Sequence, residues 1–267
     1  MVRIVTTMTV IPTREVAVIR AIMSVQRGNV KPDAMYINIP NEYVRFEEKL
    51  EPWLKPVLDA IGVTIIQLEH DRCCLNKILP ILAIEKDPET LVVTIDDDIT
   101  YSPLFIAGLL EAHKKFGGVV GYSGLVYPEK AESHGLQKLE YNVCVGHGSP
   151  AEILQQGFGT MTKLSSFYGF PDVPPLQKGQ EASLYLSDDY VISRFYDYKE
   201  LSKRVVCWDQ IGRFKDDWTS ICTLGDDGLA HKLSEERRSL EDYLRTSEII
   251  KHLWNWPYPN LNNVGSS

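Results

Sequence analysis

Short apolar runs alternate with segments of helical periodicity along the first half of the chain. The runs rich in Val, Ile and Thr predict strands at 3–12, 34–40, 63–70, 91–95 and 119–127. The intervening segments predict helices at 13–27, 43–62, 74–86 and 102–118. This alternation predicts an α/β fold with a mainly parallel central sheet.

Several residues are predicted to mark the ends of these elements. Thr13 is expected to cap the first helix, and Ser102 followed by Pro103 to open the helix at 102–118. Two prolines interrupt the helical character of 43–62, and Pro40 is expected to stop the second strand. The second half of the chain is less regular, but no change in composition marks a linker.

Composition and charge narrow the class of protein. The chain has 267 residues, of which 44% are hydrophobic and 24% charged, as in an ordinary globular protein. Its net charge of −8 argues against a nucleic-acid partner, because phosphate binding requires an excess of Lys and Arg. No apolar stretch approaches the length of a membrane span, and residues 1–15 lack the pattern of a signal peptide. Five cysteines without a C-x-x-C motif are typical of a reducing compartment, so we expect a cytoplasmic protein.

Three consecutive aspartates, Asp96, Asp97 and Asp98, follow the predicted buried strand 91–95. Ligands of open α/β sheets bind at the carboxyl ends of the strands, where this triplet lies. Because side chains alternate along an extended chain, Asp96 and Asp98 are expected to face the same side. Such a pair can hold Mg²⁺ or Mn²⁺ together with phosphate oxygens of a substrate. The alternative from the residues alone is a solvated acidic loop.

Three ordered motifs carry a resemblance to a known family: "NKILPILAIEKDPET", "VVTIDDDITYSP" and, far downstream, "LSDDYVIS". Together they resemble GT-A fold inverting glycosyltransferases of the family-2-like type, closest to small domains of bacterial and chlorovirus-type multidomain enzymes. The resemblance implies a Rossmann-like nucleotide-sugar-binding half at 1–125 and an acceptor-binding half at 126–260, which together form a single domain. Residues 261–267 are interpreted as a tail or as the start of a linker in a longer chain.

The resemblance implies the roles of the donor-side residues. Asp98 would be the direct ligand of Mn²⁺ or Mg²⁺, Asp96 would approach the nucleoside and the metal, and Asp97 would approach the sugar or the metal. The remaining expected donor contacts lie at the end of the first strand and in the segment 69–77, "EHDRCCLNK": Thr6, Thr7, Met8, Asp71, Arg72 and Lys77. Lys77 is the candidate phosphate-facing cation, since an ammonium is a point charge suited to phosphate. The family more often has Gly-Pro where this chain has Cys74 and Leu75.

The resemblance also implies the acceptor-side residues. Asp189 is expected to be the general base that takes the proton of the acceptor hydroxyl, with Asp188 as its neighbour. From the residues alone, both aspartates are equally suited to cap a helix. Gly157 is expected in a glycine-bearing acceptor loop, and His231 is a further candidate metal ligand.

A few further residues are candidates for contact with the acceptor sugar. Gly159 belongs to the same loop, and the ring of Phe158 or Tyr168 is placed to stack on a sugar. Asp172 is a candidate for binding acceptor hydroxyls, although a role in a turn fits it better.

The function expected from these features is a metal-dependent inverting glycosyltransferase. It would move a hexose, with galactose or rhamnose as guesses, from a UDP-sugar to a hydroxyl of a glycan. One alternative is a sugar-nucleotide pyrophosphorylase, but no Gly-rich, Arg- or Lys-bearing loop lies near the N-terminus to grip a triphosphate. The other alternative is a non-catalytic glycan- or metal-binding module.

Overall fold

A computed structural model describes residues 2–126, 142–143, 147–177, 188–206 and 219–220. The strands in chain order are β1 (Ile4–Thr9), β2 (Ala34–Pro40), β3 (Thr64–Leu68), β4 (Leu91–Thr94), β5 (Ile99–Thr100), β6 (Val119–Gly121), β7 (Gly124–Val126), β8 (Asn142–Val143), β9 (Ile153–Leu154), β10 (Thr160–Lys163), β11 (Lys203–Val205) and β12 (Thr219–Ser220). The α-helices are α1 (Glu15–Gln26), α2 (Leu54–Ala60), α3 (Ile81–Ile84), α4 (Phe105–Phe116) and α5 (Asp188–Tyr198), and two 3-10 helices cover Cys73–Lys77 and Leu164–Phe167.

Within this part of the chain, seven strands form the central sheet in the order β11-β6-β10-β4-β1-β2-β3. All neighbouring pairs are parallel except those of β10, which runs antiparallel to both β4 and β6. Smaller antiparallel sheets are formed by β8-β7-β9 and by β12-β5. The predicted α/β fold with a mainly parallel sheet is confirmed, and the arrangement is compatible with a Rossmann-like fold.

The central strands are buried on both faces because helices cover both. Alternation along β1 sends Ile4 and Met8 into one hydrophobic core and Val5 into the other. The first core contains buried residues of α1, α2 and α4, and the second contains those of α5 and of the segment 73–81. Burial on both faces leaves the strand ends at the edges of the sheet as the place for polar chemistry.

Some predicted boundaries were wrong at the starts of helices. Thr13 does not cap α1: its φ is +78°, and Arg14 takes the N-cap position without a side-chain capping bond. Ser102 does not cap α4 either, because that helix begins at Phe105 after a turn in which the Ser102 hydroxyl accepts the Leu104 N–H at 3.3 Å. The predicted end of this helix at its glycines is confirmed, since Gly117 follows it with a φ of +66°.

Two predicted helices are much shorter than their hydrophobic patterns. The segment 43–62 is helical only at α2, which has Pro56 in its first turn, where a missing N–H is tolerated. The segment 74–86 forms a 3-10 helix and then the single turn α3, because Pro80 lacks the N–H that a continuous helix needs. The predicted strand 119–127 is divided between β6 and β7.

No helix among the residues that the structure describes is long and apolar enough to cross a membrane. His231 and the segment 261–267, which the sequence analysis singled out, lie outside the described residues.

Candidate functional site

The carboxyl edge of the sheet brings the two acidic motifs together. The Nζ of Lys77 lies 2.5 Å from Oδ1 of Asp96 and 2.6 Å from Oδ2 of Asp188. Asp96 follows β4, Asp188 opens α5, and Lys77 ends the first 3-10 helix, so three separate elements meet at one ammonium group. The side chain of Lys77 is only 4% exposed, so it serves as a buried counter-ion to both motifs.

Burial and charge compete at this ion pair. Burial disfavours the charged form of Lys77, but the carboxylates of Asp188 and Asp96 outweigh that effect and raise its pKa well above the usual range. Burial raises the pKa of Asp188, and the nearby ammonium of Lys77 only partly offsets this effect. The buried ammonium of Lys77 therefore depends on the two carboxylates for its charge.

A second cation, Arg14, pairs with the other two aspartates of the triplet. Its Nη1 lies 2.8 Å from Oδ1 of Asp97 and 3.1 Å from Oδ2 of Asp98. Asp97 also accepts the backbone N–H of Ile11 at 3.1 Å. Burial raises the pKa of Asp97, while Arg14 lowers it. Burial, followed by the negative charge of Asp96, raises the pKa of Asp98 to about 6.

The aspartates alternate in exposure, as the D-x-D spacing predicts. The side chains of Asp96 and Asp98 are 37% and 18% exposed, whereas that of Asp97 is 7% exposed. Among the described residues, no three His, Cys, Asp or Glu side chains form a group that could hold a metal ion. Asp96 and Asp98 are the two outward carboxylates. The pKa of Asp98 is raised by burial first and then by the negative charge of Asp96, and a bound cation would offset the second effect. Two carboxylates fit a Mg²⁺ or Mn²⁺ ion that takes its other ligands from phosphate and water.

The loop before β10 ties Asp189 to the same edge. The Oδ1 of Asp189 accepts the backbone N–H of Gln156 at 2.6 Å. Burial, followed by the charge of Asp188, raises the pKa of Asp189 to about 8. The carboxyl group therefore lies in a setting that holds its proton near neutral pH, and its hydrogen-bond partner Gln156 directly precedes Gly157 in this loop.

Gly157 lies against the first aspartate of the triplet. A Cβ built on Gly157 would lie 1.8 Å from Oδ2 of Asp96, a separation that real side chains do not adopt. The hydroxyl of Tyr101 joins the same two residues, since it accepts the Asp96 N–H and donates to the Gly157 carbonyl, each at 2.7 Å. Backbone hydrogen bonds therefore fix the loop near both acidic motifs, and its close approach to Asp96 leaves no room for a side chain at 157.

The three residues of β1 that were predicted to contact the nucleotide lie in the protein interior, and one of them, Thr7, hydrogen-bonds to the backbone of Lys77. Thr6, Thr7 and Met8 are all buried. The Thr7 hydroxyl donates to the carbonyl of Lys77 at 2.5 Å, and Asn38 donates to the Thr7 hydroxyl at 3.0 Å. These bonds position the end of the 3-10 helix that carries Lys77, and direct ligand contact by the three β1 residues stays a prediction.

Asp71 has a structural role that the sequence did not predict. Its carboxylate accepts the N–H of Cys73 at 2.7 Å, the side-chain amide of Asn76 at 3.0 Å and the N–H of Val44 at 3.0 Å. Cys73 has a φ of +53°, so these bonds hold a turn of unfavourable backbone geometry. The turn sets the start of the 3-10 helix that ends at Lys77.

Arg72 lines a surface groove. Its Nε donates to the carbonyl of Val173 at 2.6 Å, and its Nη2 lies 3.8 Å from the exposed carboxylate of Asp172. The groove has a volume of about 370 Å³ and is lined by Leu68, Arg72, Asn76, Leu79, Pro80, Phe170, Pro171 and Asp172. Arg72 and Asp172 thus share one surface.

Of the remaining residues predicted on the acceptor side, some are exposed to solvent and others are packed against the protein. Phe158 and Tyr168 are both exposed, as stacking on a sugar requires. Gly159 has a φ of +100° and packs against the ring of Phe105, so its lack of a side chain serves packing. Asp188 and Asp189 lie in the first turn of α5, where the helix dipole favours negative charge.

Sequence reasoning missed three residues that organise the site: Arg14, Tyr101 and Gln156. Tyr101 belongs to the quoted motif around the triplet, but its hydroxyl bonds two backbone groups, which its residue type does not indicate. Arg14 follows β1 closely in the sequence, but no local pattern indicates which carboxylates it pairs with. Gln156 acts through its backbone N–H, which any residue except proline supplies.

A comparison of the chain with models of known protein families finds no match, and neither does a comparison with curated proteins.

Proposed function

We propose that the chain is a metal-dependent inverting glycosyltransferase that moves a hexose from a UDP-sugar to a hydroxyl of a glycan. The observation that carries the proposal is the pairing of both acidic motifs with Lys77, whose Nζ lies within 2.6 Å of Asp96 and Asp188. These motifs carry the resemblance to GT-A enzymes, and their convergence at the carboxyl edge of a mostly parallel sheet supports it. Galactose and rhamnose stay the guesses for the sugar.

Asp98 and Asp96 would hold the divalent ion, because they are the two outward carboxylates of the triplet. The ion, when bound, supplies positive charge to the diphosphate of the leaving group. Lys77 would hold the Asp96 carboxylate in place through their ion pair, and Asp97 would anchor the strand end through Arg14 and the Ile11 N–H.

Asp189 would take the proton from the acceptor hydroxyl. A general base works best when its pKa lies near the working pH, and burial beside Asp188 raises the pKa of Asp189 to about 8. The Gln156 N–H orients one oxygen of Asp189, so the other oxygen is the one available to an acceptor. Phe158, exposed two residues beyond Gln156, would offer a ring for the acceptor sugar.

Thermal unfolding with a panel of nucleotides and nucleotide sugars, with and without Mn²⁺, tests the donor half of the proposal. A ligand that binds the folded state raises Tm by mass action. We expect a Mn²⁺-dependent rise with UDP and one UDP-sugar that is lost in Asp98→Ala and retained in Asp59→Ala, a control on the exposed surface of α2. The absence of a shift with every nucleotide would contradict the proposal and favour a non-catalytic module.

Turnover by Asp189→Asn tests the acceptor half. The amide keeps an oxygen that accepts the Gln156 N–H, so we expect UDP binding to be unchanged and transfer to be abolished. A preference for nucleoside triphosphate and sugar phosphate as substrates would instead identify a pyrophosphorylase. Transfer that survives in Asp189→Asn would show that another group is the base.

A further inference from the structure

Arg14 holds two neighbouring aspartates of the site with one guanidinium group. Its Nη1 lies 2.8 Å from Asp97 and 3.1 Å from Asp98, and its side chain is 12% exposed. Arg14 occupies the N-cap position of α1, directly after the loop that leaves β1. A permanent positive charge therefore lies beside the carboxylates at which a divalent cation would bind.

The two ion pairs of Arg14 are not equivalent. Asp97 is the more buried partner, lies closer, and also accepts the backbone N–H of Ile11. Asp98 is the more exposed partner, and its bond to Arg14 is the longer one. A competing cation that arrives from solvent therefore reaches Asp98 first, while Asp97 keeps its hold on the guanidinium.

We propose that Arg14 is a resident counter-ion that a divalent metal has to displace from Asp98, so that Arg14 lowers the metal affinity of the free protein. The inference rests on the proposed function, since it concerns the same carboxylates. A metal ion on Asp98 and a guanidinium on the same carboxylate repel each other at close range, and partial burial weakens the screening between them. A nucleotide diphosphate adds negative charge next to both cations, which offsets the repulsion.

Direct measurement of Mn²⁺ binding by electron paramagnetic resonance, which detects the free aquo ion, tests the inference without an activity assay. We expect Arg14→Gln to bind Mn²⁺ about tenfold more tightly than the unmodified protein in the absence of nucleotide. Arg14→Lys keeps the positive charge but replaces the planar guanidinium, whose Nη1 contacts both carboxylates, with an ammonium on a flexible side chain, so we expect an intermediate affinity. This second variant carries the test if Arg14→Gln does not fold.

Arg3→Gln is the matched control. Arg3 also pairs with a carboxylate, that of Glu85 at 2.7 Å, but it precedes β1 at the opposite edge of the sheet. We expect its Mn²⁺ affinity to equal that of the unmodified protein, which separates the local effect of Arg14 from a change in net charge.

The outcomes distinguish the inference from the proposed function. Equal or weaker Mn²⁺ binding by Arg14→Gln, together with binding that is lost in Asp98→Asn, overturns the role of Arg14 and leaves the metal site in place. No Mn²⁺ binding by the unmodified protein or by Arg14→Gln, with or without UDP, overturns both.

Discussion

Individual charged side chains at the carboxyl edge of the sheet are balanced by specific partners. Lys77 joins Asp96 to Asp188, and Arg14 joins Asp97 to Asp98. Clustered carboxylates at the end of a buried strand are therefore tolerated in the free protein because two cations from other elements pair with them and offset part of their charge. Loss of one cation leaves its carboxylates without compensation in a poorly solvated setting.

Lys77→Met is predicted to lower the free energy of unfolding by about 3 kcal/mol, because it leaves Asp96 and Asp188 close together without their counter-ion. Urea unfolding at neutral pH measures the change. Lys163→Met is the control, since Lys163 pairs with Glu89 at 2.7 Å on the exposed surface and should cost less than about 1 kcal/mol. Equal losses for the two variants would mean that Lys77 is not a buried counter-ion.

Gly157→Ala is predicted to displace the Asp96 carboxylate, because its Cβ would lie 1.8 Å from Oδ2. We expect the Mn²⁺-dependent thermal shift with UDP to be lost and the unfolding free energy to fall by about 1–3 kcal/mol. Gly62→Ala is the control, since Gly62 has a φ of +76° but open space around it. It should cost stability through its backbone and leave the thermal shift intact, and a shift retained in Gly157→Ala would separate Asp96 from nucleotide binding.

Whole elements were predicted well where a hydrophobic period is long or a run is bounded by turn residues. The strand predicted at 34–40 matches β2, and the run 91–95 contains β4 with the aspartates directly after it. The segment 74–86 failed as a continuous helix because its apolar residues face the second core from a 3-10 turn and then from a single α-turn, separated by Pro80. Hydrophobic spacing alone does not distinguish these cases.

The site was predictable to the extent that it follows from topology. Parallel strands end at one edge of a sheet, so the Asp triplet was expected there, and its alternating exposure followed from the D-x-D spacing. The pairing of Asp96 with Asp188 through Lys77 depends on how α5 packs against the rest of the protein, which no local pattern encodes. The same holds for Asp71, whose carboxylate holds a turn.

An ion pair between Arg3 and Glu85, at the edge of the sheet opposite the candidate site, connects three segments of the chain. The guanidinium of Arg3, next to β1, bonds both oxygens of Glu85 at 2.7 and 2.9 Å, and Tyr36 of β2 donates to Glu85 at 2.6 Å. The hydrogen bonds from Arg3 lower the pKa of Glu85, although burial opposes them. The ionised form of Glu85 is therefore the one that stabilises the fold.

Glu85→Gln is predicted to reduce the unfolding free energy by about 1–2 kcal/mol at neutral pH, because it removes charge-assisted bonds that are partly exposed. A carboxylate with a lowered pKa stabilises the fold above its unfolded pKa, and this contribution is lost as the pH falls through the folded pKa. The difference between Glu85→Gln and the unmodified protein should therefore shrink below about pH 4. Unfolding curves at several pH values measure it, with Glu69→Gln, whose side chain is 85% exposed, as the control. A difference that does not depend on pH would contradict the role of the ionised carboxylate.

At the scale of the whole molecule, the carboxyl group of Asp189 lowers the free energy of unfolding as it ionises. Burial beside Asp188 raises the pKa of Asp189 from its ordinary 3.8 to about 8. Between these values the folded protein binds more protons than the unfolded chain, so this group makes the fold less stable as the pH rises. The proposed base is thus one that the fold holds in its neutral form and that becomes active as it ionises.

Asp189→Asn is predicted to stabilise the protein and to abolish transfer. The amide cannot ionise and keeps an oxygen for the Gln156 N–H, so the variant should match the unmodified protein near pH 4 and exceed its unfolding free energy progressively up to about pH 8. The gain there should be on the order of a few kcal/mol. Transfer by the unmodified protein should rise over the same upper range, as Asp189 loses its proton, and level off above it. Melting temperatures and initial rates on one pH series measure both. A variant that gains no stability with rising pH would show that Asp189 is ionised in the folded protein throughout, and a rate independent of pH across that range would remove it as the base.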